Sequence, residues 1–253
     1  MDLGLLLLTL VFVLTGALVK GLTGFGFGIL GTALLVNFVP AGDAVTLMIL
    51  PMLAVNVPLI LDADRSVLRA CLKNYRFFVA SGLLGALTGV LLVGFLPTRL
   101  LAVSVGLLAI FYVYSKQTVF YRPELGFSRF LSKSPVMQSF VGAVSGLAFG
   151  GSNVGLLYVT YLKEIGVHQR TFAGLLSVII LVGTLLRASV SAFTGLYDPG
   201  LLLVSVVAMF FALFFSEIGS KLSQKLSDRI CRNLALGLIL VARLRIIWFN
   251  LVL

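Results

Sequence analysis

The chain has 253 residues, 60% hydrophobic and only 11% charged, against the roughly 45–50% and 25% of soluble domains. So little polar surface excludes a soluble globular protein and identifies an integral membrane protein. The formal net charge of +10 does not point to nucleic acid, because the basic residues sit in short loops between apolar runs, the pattern of a cytoplasmic membrane face.

Apolar runs fall at 3–20, 24–39, 44–61, 77–96, 100–115, 136–150, 152–164, 171–193, 199–217 and 233–253. They are too long and too uniformly apolar for barrel strands, so the expected class is an all-α polytopic membrane protein. A helical crossing takes about 20 residues. Runs 44–61, 77–96, 171–193, 199–217 and 233–253 meet that, and 100–115 does so if it continues through Phe120-Tyr121. The first run lacks a basic n-region and a small-x-small cleavage site, so it is expected to remain as a membrane segment.

Two runs are broken by glycine clusters. The first cluster is Gly21-Leu22-Thr23-Gly24-Phe25-Gly26-Phe27-Gly28, and the second is Gly146-Leu147-Ala148-Phe149-Gly150-Gly151-Ser152-Asn153. Glycine costs a helix about 1 kcal/mol relative to alanine, so such clusters end or split helices. Within a bilayer, broken backbone persists only where protein or a polar cavity satisfies its free N–H and C=O groups. Runs 136–150 and 152–164 are together too long for one crossing and too short for two, which predicts a hairpin. Runs 3–20 and 24–39 predict its counterpart.

Basic residues choose between topologies. Arg65, Arg69, Lys73 and Arg76 lie in loop 62–76; Lys116, Arg122, Arg129 and Lys133 lie in loop 116–135. Lys163 and Arg170 lie in loop 163–170; Lys221, Lys225, Arg229 and Arg232 lie in loop 217–232. Eight simple crossings would split the basic residues 8 against 7. Two hairpins place fourteen on one side and Arg99 alone on the other, as the positive-inside rule requires. The expected architecture is therefore two repeats, 1–125 and 126–253, each a hairpin plus three crossings. Three crossings invert the second repeat relative to the first, so the glycine tips can meet near the midplane, where inverted-repeat transporters bind substrate.

Helix N-termini at such tips expose N–H groups and the positive end of the helix dipole, a cradle for an anion. The expected binding residues are Gly21, Thr23, Gly24, Gly26 and Gly28 in the first cluster, with Gly146, Gly150, Gly151, Ser152 and Asn153 in the second. Tight helix packing is the competing role for each glycine. Lys20 and Arg187 are cations inside apolar runs, where a charge costs at least about 2.5–3.5 kcal/mol, so each faces a cavity or snorkels to headgroups. Asn56 either bonds a neighbouring helix or lines the cavity. His168 is the only histidine, and Cys71 and Cys231 lie far apart, so no metal site, cofactor or acid–base constellation is expected, and no enzyme. No P-loop pattern or GxGxxG fingerprint is present.

At Gly21–Gly28, and at Gly142-Ala143-Val144-Ser145-Gly146-Leu147-Ala148-Phe149-Gly150-Gly151, the chain resembles the sulfite exporter TauE/SafE family of membrane permeases. The resemblance covers nearly the whole chain. Ser152 and Asn153 depart from it by standing where a further glycine is common, and Ala242-Arg243-Leu244-Arg245 departs from the usual glycine-bearing end. It implies secondary transport, in the inner membrane of a bacterial-type cell, of sulfite, an organosulfonate or another small sulfur-containing or carboxylate anion. The coupling ion and oligomeric state are left open. The alternatives are a channel or permease for another small solute, a membrane-embedded enzyme, or an assembly factor.

Overall fold

The computed structural model describes residues 3–23, 26–61, 69, 72–97, 99–100, 103, 107, 134–164, 169–223 and 225. All regular structure among them is helical. Runs 100–115 and 233–253, Cys71, Cys231, His168, Arg243 and Arg245 fall essentially outside the described residues.

Helix α1, Leu3–Thr23, is a leucine-rich run whose only charge is Lys20 in its last turn. Gly26 follows with φ 93°, a left-handed conformation that glycine adopts without a Cβ penalty. Helix α2, Phe27–Leu35, then doubles back: a Cβ on Gly16 would stand 3.3 Å from the Phe27 carbonyl oxygen and 3.4 Å from the Gly31 nitrogen.

Helix α6, Pro135–Ser152, is capped by Ser134, whose Oγ accepts from the Met137 N–H at 3.4 Å, with Pro135 in the first turn where its missing donor does no harm. It ends at Asn153, with φ 60° and ψ 12°, whose N–H returns to the Phe149 carbonyl at 3.0 Å. Helix α7, Leu156–Glu164, also turns back, bringing the Tyr158 ring to 5.9 Å from that of Phe149. The turn thus lies at Asn153, while Gly150 and Gly151 stay helical. Asparagine is among the few non-glycine residues that visit the left-handed region readily.

The apolar run 44–61 is two helices, α3 (Ala41–Leu47) and α4 (Ile49–Leu61), parted at Met48. Pro51 has no N–H to return to the Leu47 carbonyl, so the helix breaks there. Three consecutive carbonyls at the break accept side-chain donors from distant elements. Val45 takes the Asn153 amide at 2.9 Å, Thr46 the Tyr197 hydroxyl at 2.9 Å, and Leu47 the Ser205 hydroxyl at 2.8 Å.

Among the described residues, three stretches are long and apolar enough to cross a membrane: Ala41–Pro58, Arg76–Val93 and Pro199–Ser223. The second is helix α5 and the third is helix α9. Helix α8, Gln169–Phe193, spans 25 residues with its apolar part in Val178–Phe193.

Helix α6 lies along α5 and α1 along α9. Both seams are backbone to backbone. A Cβ on Gly146 would collide with the Gly82 carbonyl oxygen, one on Gly150 with that of Ala86, and one on Gly89 would stand 2.5 Å from that of Leu147. Gly21 meets Ser216, Gly219 and Ser220 in the same manner. Without a hydrophobic driving force between helices in lipid, such close approach supplies the van der Waals contact that holds them. Aromatic packing fills the centre, with Phe78 stacked on Tyr161 at 4.5 Å and edge-on to Tyr158 at 5.7 Å. Phe210, Phe211 and Phe214 face outward, as lipid contact requires.

Candidate functional site: a buried arginine between two helix breaks

Arg187 is 0% exposed, although it sits in the most apolar part of α8. Its Nη2 donates to Asn153 Oδ1 at 2.6 Å, and its guanidinium lies 4.9 Å from the centre of the Phe149 ring. Nε and Nη1 have no hydrogen-bond partner among the described residues. The ion pair seen among the described residues is Lys221–Glu217 on the surface, at 3.5 Å, so none of their carboxylates balances Arg187. A fully buried cation whose hydrogen bond among the described residues goes to a neutral amide bears a desolvation cost of several kcal/mol. Snorkelling is excluded by the burial.

Asn153 brings the second glycine cluster to the first. Its Nδ2 donates to Thr32 Oγ1 of α2 at 3.0 Å and to the Val45 carbonyl at the end of α3 at 2.9 Å. A Cβ on Gly28 would stand 2.5 Å from the Asn153 carbonyl oxygen and 3.2 Å from its Cβ, so only glycine allows the two breaks to touch here. The nearby Tyr197, in the loop before α9, stays a neutral donor: burial pushes its hydroxyl up to about 12, against the opposing influences of Ser205, Arg187 and Leu50.

The other expected residues separate into groups. Lys20 is buried and donates to the Val55 carbonyl of α4, in the turn that Pro58 opens by withholding an N–H from Ala54. Asn56 is buried beside it, but its Nδ2 returns to Met52 O of its own helix at 2.7 Å. Ser152 Oγ donates to Ala148 O at 2.5 Å and accepts from the Val154 N–H at 3.3 Å, which caps the turn. Gly21, Gly146 and Gly150 lie in the helix seams. Among the described residues, nothing lies within 4 Å of where a Cβ on Gly26 would be, and a Cβ on Gly151 would meet the Gly89 carbonyl oxygen alone, at 3.6 Å. The side chain of Thr23 and the placement of Gly24 lie outside the described residues.

Residues 8–246 match the family described as Sulfite exporter TauE/SafE. The chain belongs to the TauE/SafE family. No curated protein and no solved structure matches it. TauE/SafE proteins are membrane transporters of small sulfur-containing anions rather than enzymes, so the chain is an integral membrane permease, and the long apolar helices agree with a membrane location.

Within this TauE/SafE chain, Arg187 and Asn153 were legible as candidates, but Thr32, the Val45 carbonyl, Phe149 and Tyr197 were not. Thr32 lies 121 residues from Asn153, and nothing local marks a threonine inside a short apolar helix. Pro51 was the available signal for the carbonyl cluster, because a proline there frees the acceptor four residues earlier.

Proposed function

We propose that this permease is a secondary transporter for a small oxyanion (sulfite, an organosulfonate or a related carboxylate) that binds at Arg187 between the two helix breaks. The observation that carries this reading is the fully buried guanidinium with Nε and Nη1 unpartnered and no carboxylate of the described residues beside it. An anion there would supply the missing charge and accept charge-assisted hydrogen bonds. The first turn of α7 begins three residues after Asn153, so its N–H groups and dipole add to the attraction. Lys20, also buried among the described residues, is a further cation within the membrane region. Flux of sulfite, thiosulfate, sulfoacetate and simple carboxylates is to be measured in proteoliposomes without ATP. The proposal expects flux of at least one of these, lost in Arg187→Gln. Anion flux indifferent to that substitution, or none at all, would rule it out.

An inverted repeat underlies the transport cycle in this reading, and the packing supports it. Exchanging α1 with α6, α4 with α8 and α5 with α9 converts the α1–α9 contact into α6–α5 and the α4–α9 contact into α8–α5, and returns α4–α8 to itself. Gly26-Phe27-Gly28 and Asn153-Val154-Gly155 each begin with a left-handed residue. In a background lacking Cys71 and Cys231, cysteines at Asn74 and Lys225 are expected to resist an impermeant thiol reagent applied outside, and one at Thr194 to react. Opposite behaviour of the Asn74 and Lys225 positions would return the simple eight-crossing topology.

A further inference from the structure

Resting on the anion site proposed above, we infer that Asn153 is the positioning residue of that site: it touches no substrate, but holds the Arg187 guanidinium so that one complete two-donor edge remains open. The orientation of its amide follows from its partners. The Val45 carbonyl can only accept, so Nδ2 must face it, and both Nδ2 hydrogens are taken by Val45 and Thr32. No donor is left for an anion. Oδ1 is thereby fixed toward Arg187 Nη2.

The geometry of arginine does the rest. Nη2 carries two hydrogens, one on the edge shared with Nε and one on the edge shared with Nη1. Whichever hydrogen Asn153 takes, the opposite edge keeps both of its donors, and neither Nε nor Nη1 has a hydrogen-bond partner among the described residues. The Phe149 ring covers a face of the guanidinium, and the unpartnered donors lie on its edges. An anion with two suitably spaced oxygens can engage the open edge with both, whereas a halide gains one centre of contact. Asn153 therefore confers preference for two-oxygen anions through Arg187. It also satisfies the left-handed backbone at the turn, a requirement that glycine meets without the amide.

The test uses the full chain purified in detergent, with melting temperature as the readout and sulfite and chloride as probes. Asn153→Gly keeps the turn and deletes the amide. Its apparent sulfite affinity is expected to fall about tenfold or more, the scale of a lost hydrogen bond to a charged group, and the preference for sulfite over chloride to fall with it. Asn153→Asp puts a carboxylate against the guanidinium, so the sulfite-dependent stabilisation is expected to vanish. Without any anion, Asn153→Asp is expected to lower the melting temperature more in an Arg187→Gln background, where the carboxylate is buried unpaired, than when Arg187 is present. Unchanged sulfite affinity and selectivity in Asn153→Gly, or an Asn153→Asp penalty indifferent to Arg187, would overturn the positioning role. If sulfite stabilises no form of the protein, the sulfite-site reading fails, and the ligand-free comparison of Asn153→Asp in the two backgrounds still decides the role of Asn153.

Discussion

Arg187→Gln is expected to abolish anion binding while leaving the anion-free protein at least as stable as the parent. The two effects have one cause. The guanidinium is fully buried, bonded to a single neutral oxygen and without a carboxylate among the described residues. Removing an uncompensated buried charge relieves a desolvation cost on the order of several kcal/mol. Glutamine is neutral and can still donate to Asn153 Oδ1, so the amide oxygen is not orphaned. Anion binding loses two hydrogen bonds to a charged donor, each worth roughly 1.5–3 kcal/mol, hence a weakening of about a hundredfold or more. Arg187→Lys is expected to lie between: the charge stays, but a point ammonium replaces the planar fork. The check is melting temperature with and without sulfite beside proteoliposome flux. A strongly destabilised Arg187→Gln protein would mean that a structural counter-ion is present.

The second large effect separates two adjacent glycines. Gly150→Ala is expected to prevent normal folding, because its Cβ would collide with the Ala86 carbonyl oxygen and come within 2.9 Å of Gly89 Cα, backbone atoms that cannot move aside cheaply. Helices α5 and α6 would have to part along a seam that also includes Gly82, Gly85, Gly142 and Gly146. Gly151→Ala, one residue on, places its Cβ 3.6 Å from the Gly89 carbonyl oxygen, an ordinary contact, and is expected to express and fold. The measurement is the monodisperse yield of each variant after detergent extraction. Equal yields would show that the α5–α6 seam is looser than described.

The same pair shows what was legible in the sequence. The two glycine clusters marked both helix breaks, because glycine runs are costly in helices wherever they occur. Which residue makes the turn was less visible. In the first cluster Gly26 takes the left-handed conformation, but in the second Asn153 does, two residues beyond Gly151, where runs 136–150 and 152–164 were expected to part. Adding a residue to a helix costs little until a donor or acceptor is lost, and the Ser152 hydroxyl supports the added turn by bonding Ala148.

A glycine in the sequence also cannot say whether it serves a ligand or a neighbouring helix. Gly21, Gly146 and Gly150 meet helix backbones, whereas Gly28 admits the other break. Those partners lie far along the chain and leave no local trace. Arg187 stood out because a cation in an apolar run is costly anywhere. Its partner did not, since the Asn153–Arg187 bond exists only once α6 and α8 have packed. The break at Met48 was hidden by the continuous apolarity of 44–61, although Pro51 foreshadowed it.

If an oxyanion completes the charge of Arg187, it can be located. Crystals of the protein soaked in selenite, an electron-dense analogue of sulfite, would reveal selenium by its anomalous scattering. A peak is expected within hydrogen-bonding reach, through the selenite oxygens, of an unpartnered edge of Arg187, with Asn153 still bonded to Nη2. An ordered selenite elsewhere in the membrane region, with the Arg187 edges left empty, would contradict it.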